Sequence, residues 1–135
     1  MLAPLLALVV WTLIVWVWMY ALRIPAMQKA GIDPQDALHP GSLSGLPRTA
    51  RCAADNYNHL HEQPTLFYAL ALYGHLSGSG DGPAVLLAWT YVATRIAHSF
   101  AQIVLQKVAV RFATFALGSI ILMALAAIFV AASVS

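Results

Sequence analysis

Residues 2–22 carry no charged side chain, and this run constrains the fold more than any other feature of the chain. A helix of that length crosses a hydrocarbon core of about 30 Å. A cleaved secretory leader is the rival reading, but it needs a shorter apolar core of about 7–15 residues, a basic start and a small-residue cleavage site. No Lys or Arg precedes Arg23 and no such cleavage site stands out, so the run is expected to remain as a first membrane helix. Trp16, Trp18 and Tyr20 near its end suit the aromatic belt of a membrane interface.

The composition points the same way. The chain is 61% hydrophobic and 9% charged, against about 25% charged in an ordinary soluble domain. A net charge of +2 with no basic run excludes a nucleic-acid binder. Cys52 is the only cysteine, which excludes an intrachain disulfide and a cysteine-rich metal site.

Taken in order, residues 23–48 read as a loop, broken by Pro25, Gly31, Pro34, Pro40, Gly41, Gly45 and Pro47. Asp33 before Pro34 can cap a short helix there. A second helix is expected over about residues 49–76, with a kink at Pro64, whose ring lacks a donor and crowds the preceding turn. Residues 77–83 form a Gly- and Ser-rich turn. A third helix is expected over about 83–105, a short turn at Gln106 and Lys107, and a fourth helix over about 108–134. The predicted fold is an all-α integral membrane protein, a four-transmembrane-helix bundle forming one domain over residues 1–135. Arg23, Lys29, Arg48, Arg51, Lys107 and Arg111 cluster around the first and third connections. Basic residues stay cytoplasmic, which places both termini on the extracytoplasmic side.

Two polar stripes interrupt this apolar background. Arg51, Asp55, Asn58 and Glu62 follow spacings of four, three and four, on one face of the second helix. Tyr91, Arg95, His98, Ser99 and Gln102 share a face of the third. Ionisable groups in a membrane helix face a bundle interior, a partner charge or a wet cavity. The stripes therefore read as a binding site, or else as an interhelix network such as Glu62 with Arg95. If a thin bundle cannot satisfy both, side-by-side subunits let one chain's Arg95 face meet the next chain's Arg51 face. A metal site is not expected: His59 and His61 are two apart on a helix and point away from each other, which leaves His98 too few partners for zinc. Cys52 reads as a small filler at a helix start.

Arg51, the run Asn58-His59-Leu60-His61-Glu62-Gln63-Pro64, Leu66-Phe67-Tyr68, the run Arg95-Ile96-Ala97-His98-Ser99 and Arg111-Phe112-Ala113-Thr114-Phe115 together resemble the MAPEG family, the membrane-associated proteins of eicosanoid and glutathione metabolism, in a bacterial form. The likeness spans nearly the whole chain. It implies a homotrimer in a bacterial inner membrane, with glutathione held as cosubstrate between subunits near the cytoplasmic face. By resemblance Arg51 and Glu62 match the binding motif of the second helix, Arg95 matches the arginine of the third, and Arg111 matches the fourth-helix arginine that activates the glutathione thiol in some members. The motif's usual Asn position holds His59 here, with Asn58 one residue earlier and Asp55 further back. His98 and Gln102 stand where leukotriene-synthase-like members carry tyrosines. The residue types suit the ligand: arginines for two carboxylates, Glu62 or Asp55 for an amine, and Arg111 to favour a thiolate.

Three functions fit this reading. One is glutathione-dependent transfer or peroxide reduction on a lipophilic small-molecule substrate arriving from the lipid bilayer. Another is a non-catalytic trimer that binds a small anion or lipid. The third is an accessory subunit whose polar residues fix packing.

Overall fold

The computed structural model describes residues 1–39 and 41–134; Pro40, one of the expected loop breakers, lies outside the described residues. Helix α1 spans Leu2–Ala30, α2 Arg48–His59, α3 Gln63–Leu76, α4 Pro83–Phe100 and α5 Val108–Val134, and no strand occurs among the described residues. Helices α1 and α5 are the two long and apolar enough to cross a membrane.

Two expectations need correction. The first helix does not stop at Leu22 but runs on through Pro25 to Ala30, where Gly31 ends it in the left-handed conformation (φ 64°). At 1.5 Å per residue it is about 43 Å long, so its last turns overrun the hydrocarbon core. Ala26, Gln28 and Lys29 there are good helix formers that need no apolar partner. The loop therefore begins at Gly31 rather than at Arg23. Within it Asp33 does cap a short turn, Pro34–Asp36, by accepting a 2.9 Å bond from the Gln35 amide.

The second predicted helix is two helices rather than one with a kink. Leu60 N still bonds to Asn56 O (3.0 Å), but His61 N reaches Asn58 O (2.9 Å) in a tightened turn, and Glu62 leaves helical geometry. Pro64 explains the break: it has no N–H to offer, and its ring crowds the Leu60 carbonyl four residues back. Thr65 secures the restart, its amide and its hydroxyl both donating to Glu62 O.

The packing is up-and-down. Tyr91 and Arg95 on α4 reach Gln63 on α3, and His98 lies near Arg111 and Thr114 on α5. Phe67 stacks on Tyr91 at 4.7 Å, within a core that includes Leu8, Val15, Ala71 and Leu125. At the other end α3 and α5 approach closely, because a Cβ on Gly74 would collide with the Phe129 ring. Gly80 lies against Met1 and Gly74, so both ends of the chain share one end of the bundle with the turn before α4. The basic connections occupy the opposite end. The charge pattern predicted this segregation.

The connection into α5 is unusual. Residues Ala101–Leu105 wind into a π-turn closed by Gln106 N to Ala101 O (2.8 Å), and Gln106 itself is left-handed (φ 54°). Single π-turns of this kind recur at functional sites. Arg48 Nη2 donates to Gln106 O at 3.3 Å and ties the start of α2 to this corner.

Candidate functional site

The basic end gathers arginines from separate parts of the chain. Arg23 from the extended end of α1 joins Arg48 and Arg51 from the first turn of α2 around a cavity of about 480 Å³. Asp55 and Asn58, further along the outer face of α2, complete its wall, and Gly41 and Ser44 of the loop border it. Arg51, Asp55 and Asn58 thus converge as their spacing predicts. Glu62 does not join them. The break turns it outward, 64% exposed, with Oε2 3.0 Å from His59 Nδ1, an ion-pair distance not aligned as a hydrogen bond. No Lys or Arg side chain pairs with a carboxylate among the described residues.

The stripe on α4 faces the opposite way from that of α2, into the core of the chain's own bundle. Arg95, Tyr91, His98, Ser99 and Gln102 are all buried. Arg95, at 0% exposure, has no carboxylate within ion-pair distance among the described residues. Its Nη1 donates to Gln63 Oε1 (3.3 Å) and its Nη2 to His59 O (3.4 Å), the carbonyl that ends α2. A helix C-terminus is partially negative, and the Tyr91 and Phe115 rings flank the guanidinium at 5.9 and 5.8 Å. Arg95 therefore pins the break between α2 and α3. The expected Glu62–Arg95 pair does not form, and the idea that the bundle leaves the α4 stripe unsatisfied is corrected: Trp11 on α1, Asn56 and His59 on α2, Gln63 on α3 and Thr114 on α5 supply its partners.

Below Arg95 the polar column continues. Gln102 Oε1 accepts from Asn56 Nδ2 (3.2 Å) and lies 3.1 Å from His98 Nε2. His98 Nδ1 lies 3.1 Å from both Arg111 O and Thr114 Oγ1, so the ring bridges Gln102 to the start of α5. Trp11 Nε1 donates to Ser99 Oγ at 3.1 Å, which brings α1 into the same network. Within this column Asn56 Oδ1, Arg95 Nε and Gln102 Nε2 are buried and keep no hydrogen-bond partner among the described residues.

Arg111 lies elsewhere. With His59, His98, Phe112 and Phe115 it walls a second cavity of about 180 Å³ on the α5 side. The His59 and His98 rings are 5.8 Å apart, while His61 packs on Tyr57 with centroids 4.5 Å apart. No three His, Cys, Asp or Glu side chains gather to hold a metal among the described residues.

Sequence reasoning passed over Arg23, Arg48, Asn56 and Gln63 as site residues. Asn56 and Gln63 had a readable signal: with Ala53, Leu60 and Phe67 they keep a three-and-four spacing that marks the core face of α2 and α3. Arg23 and Arg48 had none beyond their charge, because the loop brings them to Arg51.

Comparison with known proteins decides the kinship. Residues 1–131 match the MAPEG family. The chain belongs to that family. No curated protein and no solved structure gives a significant match. MAPEG proteins are membrane-associated, and they include glutathione-dependent transferases and peroxidases as well as non-catalytic members. The two apolar helices agree with membrane association. In this MAPEG chain the residues expected at the site occupy three places: the arginine cavity on α2, the buried column on α4, and the Arg111 cavity on α5.

Proposed function

We propose that this MAPEG protein is a glutathione-dependent transferase or peroxidase for lipophilic electrophiles, working as a homotrimer with both termini extracytoplasmic. The arginine cavity carries the reading. Glutathione has two carboxylates and one amine. Arg23, Arg48 and Arg51 supply forked donors for the carboxylates, and Asp55 supplies an anion for the amine in the same wall. The ligand's thiol, with a cysteine-like pKa of ~8.5, is mostly protonated at neutral pH. Arg111 is the cation that would favour its thiolate, the nucleophilic form. In transfer, the sulfur lone pair forms the new C–S bond, the leaving group departs with its electron pair, and the thiol proton passes to water.

Within one chain Arg111 walls a different cavity from Arg51 and Asp55, joined to theirs only through a small space that Arg48 and Cys52 share, and the transfer reading places the ligand's thiol on the Arg111 side. This separation also favours a second reading, a trimer that binds the peptide without chemistry. Glu62, His59, Tyr91, Arg95, His98 and Gln102 then divide between positioning and contact, with the buried α4 residues on the positioning side.

Titration calorimetry of glutathione into the purified protein tests the binding step. Saturable binding, weakened roughly 10- to 100-fold by Arg51→Ala as expected for a charged hydrogen bond, supports the proposal. Absence of binding to a trimer shown intact by mass would sink it. Conjugation of a lipophilic aryl halide then separates enzyme from binding protein.

A further inference from the structure

Two imidazoles, those of His59 and His98, stand in the wall of the Arg111 cavity. Both nitrogens of His98 are already engaged, Nε2 with Gln102 Oε1 and Nδ1 with Arg111 O and Thr114 Oγ1. His59 differs. Its Nδ1 is enclosed and lies 3.0 Å from Glu62 Oε2, while its Nε2 forms no hydrogen bond among the described residues and stays accessible. The ring is set against His98 and Phe115 of the same wall, at 5.8 and 6.4 Å between centroids. With Nδ1 enclosed, the edge that carries Nε2 is what the ring has left to face the cavity.

The break between α2 and α3 builds this pair. His59 is the last residue of α2, and Glu62 sits where the chain leaves helical geometry before Pro64. Arg95 Nη2 holds the His59 carbonyl, and Thr65 holds that of Glu62 with its amide and its hydroxyl. Both backbones are thus fixed from outside the pair. A carboxylate beside Nδ1 keeps the imidazole proton on that nitrogen and leaves the Nε2 lone pair to accept another. It also favours the imidazolium that acceptance creates. The charged and titratable groups facing the ring are Glu62 beside it, Arg95 and His98 from α4, and Arg111 from α5 across the cavity.

We propose that His59 is the general base of the transfer reaction, oriented by Glu62, and that it takes the thiol proton while Arg111 holds the sulfur. This rests on the transferase reading above, which puts the thiol on the Arg111 side. A water needs roughly 10–15 Å³ of such space, so the cavity of about 180 Å³ admits a thiol with room to spare. The Nε2 lone pair takes the proton, and the S–H bonding pair stays on sulfur. The thiolate then forms the C–S bond, the leaving group departs with its electron pair, and the imidazolium returns the proton to water. Glu62 and the thiolate flank the imidazolium with negative charge, which offsets Arg111 and Arg95.

The test compares full-length wild-type protein with His59→Ala in a neutral detergent, by glutathione calorimetry and by conjugation of a lipophilic aryl halide from pH 6 to 9. His59→Ala should bind glutathione as the wild type does and conjugate roughly 100-fold more slowly at neutral pH. Its deficit should shrink as pH rises, because hydroxide replaces the lost base, and added free imidazole should restore part of the rate. A packing role would give neither effect. Should His59→Ala not fold, His59→Asn keeps a polar side chain of similar reach without a base, and the same pH-dependent deficit is expected. A deficit that stays constant with pH and ignores imidazole overturns the inference, as does an unchanged rate, and both leave the transferase reading standing. A wild-type protein that binds glutathione without conjugating it, or does not bind it, ends both.

Discussion

Arg95 offers the sharpest test of how a membrane bundle tolerates a buried cation. Its guanidinium is fully enclosed, donates to Gln63 Oε1 and to His59 O, and pairs with no carboxylate among the described residues. Consider Arg95→Met, which keeps the length and removes the charge. Each lost charged hydrogen bond is worth about 1.5–3 kcal/mol. Both acceptors keep another donor, however: Tyr91 Oη to Gln63 at 3.3 Å and Glu62 N to His59 O at 3.4 Å. Removal of the charge also relieves a desolvation penalty of several kcal/mol. The net loss should therefore be small, about 1–2 kcal/mol after these opposing effects. Arg95→Lys is the harsher change. An ammonium cannot span both acceptors as a planar fork does, and it leaves a charge buried with fewer bonds, which should destabilise by about 3–5 kcal/mol. Equilibrium unfolding in mixed micelles of rising sodium dodecyl sulfate fraction, followed by far-ultraviolet circular dichroism, measures both. Should lysine prove milder than methionine, the charge is compensated in some other way, and Arg95 is not the pin of the α2–α3 break. Should Arg95→Met fold normally yet lose glutathione binding, Arg95 is a ligand contact after all.

Gly74→Ala should destabilise by about 1–3 kcal/mol through overpacking against Phe129, and Phe129→Leu in the same chain should recover most of it in the same unfolding assay. For the proposed enzyme, Arg111→Ala is expected to spare glutathione binding and slow conjugation roughly 10- to 100-fold, a loss on the order of 1.5–3 kcal/mol; equal losses in binding and rate would move Arg111 out of the catalytic role. Single cysteines placed at Ser79 and Ser42, in a chain with Cys52→Ala, should label from the extracytoplasmic and cytoplasmic sides respectively, and the reverse pattern would invert the topology.

The helices were legible wherever hydropathy alone decides. Residues 2–22 and 108–134 read directly as helices because no alternative satisfies so many backbone groups in lipid. Polar residues were found by spacing, but spacing fixes only a shared face and not what that face meets. The α4 stripe therefore read as an interface when the chain's own helices bury it. Pro64 announced a disturbance, and only the conformation of Glu62 shows that the helix stops and starts again. The arginine cavity was least legible, since Arg23 and Arg48 reach Arg51 through a loop whose path follows from Leu46 being buried.

The overrun of α1 past the membrane has a geometric consequence. The loop that borders the arginine cavity through Gly41 and Ser44 springs from the end of this rigid rod. Each residue of α-helix advances the chain by about 100° around the axis, given 3.6 residues per turn. Adding or deleting one residue between Ala26 and Ala30 would swing the loop's point of departure a quarter-turn or more around the bundle, carrying its residues off the cavity. Adding four residues nearly restores the direction and only lifts the loop by about 6 Å. The length of this stretch is thus phased, and should vary by whole turns where the loop after Gly31 can vary freely.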